Sequence, residues 1–249
     1  MHRTKCLRNH EKEMVSFLWD PISTFLAKKA NRITSFIPPP PNADKKKVLM
    51  VIAHPSPKSF LTSLARTAER SLVEANHEVK LISLYEEKFQ PVLTEKEFMN
   101  YMGTRSREAD VTESAEALQW CDSLILCYPT WWYGPPAILK GWMDRVFLPG
   151  IAFDVAIAPE EKKLASPLTG LIPKLDNIKH MGVITTLGAD FLRVRAVGDT
   201  GRQVMARGVR PLFHRHCTLN YLCLYSADAA PPAKREAFLA RVAETFRYF

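Results

Sequence analysis

Four short runs, each almost unbroken in hydrophobicity, constrain this chain more than anything else in it. Val48-Leu49-Met50-Val51-Ile52-Ala53 stands between Lys45-Lys46-Lys47 and His54-Pro55. Asp122–Tyr128 reads DSLILCY, His180–Thr186 reads HMGVITT, and Thr218–Tyr225 reads TLNYLCLY. A strand with one wet face would alternate apolar and polar residues. These runs do not, and they are too short for buried helices. They fit strands covered on both faces, the kind that parallel sheets contain. Glu78–Leu84 does alternate and supplies a fifth strand.

Helical spacing fills the gaps. Ser59 is a natural N-cap for a helix to Asn76, with Phe60, Leu64, Ala68 and Leu72 on one face. Glu113–Trp120, Pro136–Phe147 and Ala233–Tyr248 read as further helices. Strand and helix in alternation predict an α/β fold, a doubly wound five-stranded parallel sheet with helices on both faces.

Charge separates this domain from what precedes it. The chain of 249 residues has a formal net charge of +8. Residues 1–47 hold 10 Lys/Arg against 4 Asp/Glu, and the remainder hold 24 against 22. The body is therefore nearly neutral, which argues against a basic nucleic-acid-binding fold. Pro38-Pro39-Pro40-Pro41 is a stiff linker. The predicted organisation is a basic extension with its linker over 1–46 and one domain over 47–249. Residues 14–27 of the extension are mostly apolar, which suits docking to a membrane surface or a partner, or organelle targeting. The longest uncharged run, Ser123–Leu139, contains Pro129, Gly134, Pro135 and Pro136, so no spanning helix is expected. Five Cys with no CxxC pair suggest neither a disulfide framework nor a zinc knuckle. A reducing, cytoplasmic setting follows, with Cys127, Cys217 and Cys223 read as small buried hydrophobes.

Ligands of such sheets bind beyond the carboxyl ends of the strands. After the first strand, His54-Pro55-Ser56-Pro57-Lys58-Ser59-Phe60 delivers a hydroxyl and a lysine to a helix N-terminus, a setting for phosphate. Neither GxGxxG nor GxxxxGK[ST] is present. After the third strand comes Tyr128-Pro129-Thr130-Trp131-Trp132-Tyr133-Gly134-Pro135-Pro136, an aromatic loop held by prolines and suited to a flat ring. After the fourth, Thr185-Thr186-Leu187-Gly188 lets backbone approach a ligand closely. A phosphate and a planar ring together describe a flavin nucleotide. A zinc hydrolase, which can share Ala-His-Pro after a strand, is disfavoured because Ser56-Pro57 stands where acidic ligands would be needed.

Residues 128–147, from Tyr128-Pro129-Thr130 to Lys140-Gly141-Trp142-Met143-Asp144-Arg145-Val146-Phe147, resemble the signature of the flavodoxin-like NAD(P)H:quinone oxidoreductase family. That family contains the DT-diaphorase type, bacterial quinone reductases and ancillary subunits of potassium efflux systems. The resemblance implies that His54, Lys58, Ser59 and Phe60 bind the phosphate side of a flavin. Pro129, Thr130, Trp131, Trp132, Tyr133 and Gly134 would flank its ring, with Trp132 and Tyr133 near it and no catalytic side chain assigned. Thr185, Thr186, Leu187 and Gly188 would hold its pyrimidine edge. FAD is implied by the diaphorase branch and FMN by other relatives, with NAD(P)H as donor, a quinone-like acceptor and no metal. Ping-pong hydride transfer and a homodimer are implied too. Leu61 stands where the family often has Asn, and Leu187 replaces the first Gly of a Thr-Thr-Gly-Gly run. Residues 189–216 follow a pattern of their own. That stretch is rich in Arg (193, 195, 202, 207, 210 and 215) and contains Gly198-Asp199-Thr200-Gly201. The diaphorase proton-relay Tyr and His have no evident counterpart in it. Two other roles fit the same fold: reduction of azo or nitro compounds, and a regulatory flavoprotein bound to a transporter or other partner.

Overall fold

A computed structural model describes residues 45–103 and 108–249. The basic extension and its Pro-rich linker, apart from Lys45 and Lys46, lie outside the described residues. Each continuous apolar run becomes a strand: β1 (Lys47–Ile52), β3 (Ser123–Pro129), β6 (His180–Leu187) and β7 (Thr218–Tyr225), with β2 (Glu78–Ser83) completing the sheet. All pairings are parallel, and the strand order is β2-β1-β3-β6-β7. β3 at the centre is buried at every position. The chain moves outward from β1 in one direction and then in the other. The reversal leaves a crevice beyond the ends of β1 and β3, where two connections depart to opposite faces.

One face is covered by α1 (Phe60–Glu74) and the last helix, α7 (Pro232–Arg247). Leu61, Leu64, Ala65, Ala68 and Leu72 of α1 meet Phe238, Val242 and Phe246 of α7 over Met50, Ile125 and Ile184. Ser59 caps α1, its Oγ accepting from the Thr62 N–H at 3.1 Å.

The other face carries α3 (Ala109–Trp120) and α4 (Ala137–Val146). Trp142 is fully buried there, and its indole N–H donates to the Ser114 hydroxyl at 3.0 Å. A short helix, α2 (Glu95–Met99), crosses this side, closed by a reciprocal Thr94–Glu97 capping box. Glu97 and Asp110 bracket the buried Arg145 guanidinium at 2.6 and 2.7 Å. Burial pushes the Glu97 carboxyl up, but hydrogen bonds from Arg145 and Thr94 outweigh it and hold the group below the usual range.

Several features differ from expectation. α3 begins four residues before Glu113, and β6 runs on to Leu187. An antiparallel hairpin of β4 (Phe153–Val155) and β5 (Leu171–Pro173) stands apart from the main sheet. Residues 190–212 coil into α5 (Phe191–Ala196), α6 (Thr200–Gln203), a π-helical turn over Val204–Val209 and a 3₁₀ turn over Arg210–Leu212. Asp190 starts this coil, its carboxylate accepting from the N–H groups of Leu192 and Arg193 at 2.9 and 3.0 Å. Such short turns leave no 3.6-residue pattern to read.

Candidate active site

The three loops singled out above follow β1, β3 and β6, which are neighbours in the sheet. They therefore open at one edge, side by side. The first is a self-contained turn. The Ser56 N–H donates to His54 Nδ1 at 3.0 Å, and the Thr62 hydroxyl donates to the Ser56 carbonyl at 3.0 Å. The Ser59 hydroxyl is occupied by its own helix cap. Burial holds the His54 imidazole below its ordinary pKa, so it is neutral near pH 7. Nδ1 also lies 3.1 Å from the Ser56 carbonyl, so it accepts from the Ser56 N–H in one tautomer and donates to that carbonyl in the other. Lys58 is exposed, and Phe60 lies half-buried with Arg235 5.6 Å from its ring.

The second loop is bound to the third. The Thr130 N–H donates to the Thr186 carbonyl at 2.8 Å, and the Thr130 and Thr185 hydroxyls meet at 2.7 Å. Beyond Thr130 the chain reverses in a tight turn. Trp131 and Gly134 exchange two backbone hydrogen bonds of 3.1 Å. Trp132 and Tyr133 between them have φ of +49° and +60°. That is the pattern of a type I′ turn, which favours Asn and Gly. Each bulky residue held there costs about 1–3 kcal/mol and persists only where neighbouring structure fixes it. Trp132 is 98% exposed, so its own burial is not what fixes it.

In the third loop Thr185 is fully buried, Leu187 buried, and Gly188 open to solvent. A Cβ on Gly188 would stand 2.6 Å from Asp228 Oδ2, so glycine keeps backbone and carboxylate in contact. All fourteen candidate residues thus lie on three adjoining loops or on the element ends that flank them, Phe60 opening α1, Pro129 closing β3 and Thr185–Leu187 closing β6.

Sequence reasoning missed the floor of this site. Tyr221, Cys223 and Tyr225 point to one side of β7, as every second residue of a strand must. With Thr130, Tyr133, Leu187 and Asp199 they line a cavity of about 10 Å³, room for one water. The buried Tyr128 hydroxyl lies near Tyr221 without a well-formed hydrogen bond among the described residues. Burial pushes the Tyr128, Tyr221 and Tyr225 hydroxyls far up, so all three stay protonated. The alternation Tyr-x-Cys-x-Tyr was the available signal. Cys217 is pushed up to about 12 by burial, and Cys127 and Cys223 higher still. These thiols are inert fillers, as expected. A larger cavity of about 30 Å³ near Leu93, Tyr101 and Arg145 shares no residue with the three loops.

The arginine-rich stretch does border the site, but its first members are engaged. Arg193 pairs with Asp190 at 2.7 Å and Arg195 with Asp199 at 3.2 Å, while the Arg202 guanidinium lies 5.1 Å from the Tyr221 ring.

The model of a family described as having a flavodoxin-like fold matches residues 46–244. The chain belongs to the flavodoxin-like NAD(P)H:quinone oxidoreductase family. A ribosyldihydronicotinamide dehydrogenase [quinone] of Pongo abelii is 36% identical over 162 residues, covering 59% of this chain and 70% of that protein. Among solved structures, Smu.1420 from Streptococcus mutans superposes with a TM-score of 0.68 at 28% identity, covering 82% of this chain and all of that one. An NAD(P)H:quinone oxidoreductase from Methanothermobacter marburgensis gives 0.67 at 25% identity, with 82% and 98% covered. The chain spans about half the length of other curated relatives, 45% for a Penicillium crustosum protein and 54% for a human one.

Proposed function

We propose that this chain is a flavin-dependent oxidoreductase that takes hydride from NAD(P)H and passes two electrons to a quinone-like acceptor. The observation that carries the reading is the meeting of three loops at the carboxyl edge of β1, β3 and β6. One bears a helix N-terminus with a lysine, one a rigid aromatic turn, and one an open glycine backbone. The names of the relatives support it.

The residues fit a flavin nucleotide. The N-terminus of α1 and Lys58 offer positive charge and donors to a phosphate, with the His54 ring beside them. Since the cap occupies both Ser59 Oγ and the Thr62 N–H, the N–H groups of Phe60 and Leu61 do the remaining work. Trp131, Trp132 and Tyr133 supply ring faces, and the backbone of Thr186–Gly188 supplies an edge for a pyrimidine. The Thr130–Thr185 hydroxyl bond ties these two walls together. When bound, the flavin supplies the hydride chemistry, and the chain supplies position, water exclusion and local charge. No side-chain nucleophile is required. FAD is the first choice of cofactor and FMN the second.

The test is direct. Purified full-length protein should carry or take up a flavin, which released from the protein is identified as FAD or FMN. Rates at varied NAD(P)H and quinone should give parallel lines in double-reciprocal plots, the pattern of ping-pong exchange at one site. A colourless protein that neither flavin reconstitutes overturns the proposal. Flavin bound without turnover moves it to a regulatory flavoprotein.

A further inference from the structure

The left-handed pair Trp132–Tyr133 needs support from outside its own turn. The two Trp131–Gly134 bonds close the loop but place no demand on the rings. The exposed indole of Trp132 adds no burial. Support comes from a segment 67 residues further along, where the Thr200 hydroxyl donates to the Tyr133 carbonyl at 2.8 Å. Gly201 follows, and a Cβ there would stand 3.0 Å from the same carbonyl oxygen and 3.7 Å from the Tyr221 hydroxyl. The two backbones therefore approach so closely that a side chain at position 201 would press on the Tyr133 carbonyl.

The supporting segment is itself anchored. Asp199 is also left-handed, with φ of +51°, and only 4% exposed. Its carboxylate meets Arg195 at 3.2 Å, and its N–H donates to the Val194 carbonyl at 2.8 Å. Arg202 lies over the Tyr221 ring. Arg195 and Arg202 thus hold the segment down onto α5 and β7. What the segment offers the aromatic turn is one hydroxyl and one missing side chain.

We propose that Asp199-Thr200-Gly201 is a clamp that sets the conformation of the ring-binding turn, with Thr200 as a positioning residue acting through the Tyr133 carbonyl. This rests on the flavin reading above and deepens it. Fixing the Tyr133 carbonyl fixes the peptide plane it shares with Gly134, and with it the directions of the neighbouring rings. Without the clamp the turn spreads over several conformers, of which one fits the ligand. Apparent affinity then falls by the fraction that remains competent.

The test uses the full chain and three variants. Thr200→Val removes the donor while keeping the shape, Thr200→Ser keeps the hydroxyl, and Gly201→Ala pushes on the Tyr133 carbonyl. Two quantities are read: amide hydrogen exchange at residues 131–134 in flavin-free protein, and the Kd for FMN and for FAD by fluorescence titration. Thr200→Val and Gly201→Ala should exchange faster there and bind flavin about 5- to 10-fold more weakly, the scale of one lost hydrogen bond. Thr200→Ser should match the parent in both. Unchanged exchange and Kd in Thr200→Val overturn the clamp, and so does a Thr200→Ser variant as weak as Thr200→Val. A lower unfolding midpoint with unchanged exchange and Kd makes the segment a mere cover and also overturns it. If the parent protein binds neither flavin, the flavin reading falls and with it the affinity half of the proposal. The exchange data still decide whether Thr200 holds the turn.

Discussion

The two faces of the sheet are built on different terms. Beneath α1 and α7 the contacts are aliphatic and phenyl groups on two long helices, meeting strands in plain alternation. Beneath α3, α4 and the coil over 190–212, the core admits Arg145, Asp199 and three tyrosines. The first face is held mainly by burial, with an exposed Arg247–Glu74 ion pair of 3.6 Å between its two helices. The second is held by specific polar contacts between segments far apart in sequence, and two of the three site loops close against it. The difference separates folding from function: one face makes the sheet stable, and the other spends part of that stability on shape.

Substitutions should fail differently on the two sides. Leu64→Ala removes a side chain with no exposure from the regular face. A loss of about 4 kcal/mol in urea unfolding is expected, from lost transfer energy and an unfilled cavity. The flavin Kd of the folded fraction should stay within twofold of the parent. A large change in Kd at full folding would show that this face is not independent of the site.

On the irregular face, Gly141→Ala tests a close approach. Gly141 sits inside α4, where alanine would otherwise be the better helix former. A Cβ there would fall on the Pro91 carbonyl, so helix and loop must separate. About 2–3 kcal/mol should be lost despite the gain in helix propensity. A neutral or stabilising result would mean that the loop over Pro91 yields freely.

Arg145→Met comes next. The guanidinium also donates to the Gln90 carbonyl at 2.6 Å, so it ties three segments to α4. Its carboxylate partners are partly open to water, 15% for Glu97 and 36% for Asp110, and hydrate once released. About 2 kcal/mol is expected, less than for a fully buried pair. The loss should show as faster hydrogen exchange confined to residues 90–110. Uniform exchange across the sheet would make Arg145 part of the global core.

These contrasts also explain how much was legible beforehand. Val48–Ala53 and Ser123–Tyr128 could be read as central strands because burial on both faces writes itself into consecutive residues. The helix after Ser59 showed through Leu64, Ala68 and Leu72 because fifteen residues hold four turns of pattern. The three loops could be located because ligand position follows from parallel topology. The clamp could not. Thr200 and Tyr133 are joined by one bond across 67 residues, within turns too short for any period to emerge. The φ of Asp199 likewise has no local signature beyond the glycine before it.

Acid should distinguish the two ends of the sheet. His77 and His180 lie at its amino end, where Lys46 N–H donates to His77 Nδ1 at 3.2 Å and the His180 ring lies 6.0 Å from that of Phe249. His54 lies at the carboxyl end, in the first loop. Burial lowers all three imidazoles, and the Lys46 charge lowers His77 and His180 further. The folded state therefore resists a proton that the unfolded chain takes up below its imidazole pKa of about 6.5. The unfolded state binds more protons there, so stability is full above that pH and falls through the window below it as pH drops. The urea midpoint of flavin-free protein should fall over that window, and His180→Gln should flatten part of the fall. A phosphate beside His54 favours its charged form, so flavin-loaded protein should lose less than flavin-free protein over the same window. Equal losses with and without flavin would remove His54 from the phosphate side of the site, while leaving the amino-end histidines as the source of the acid sensitivity.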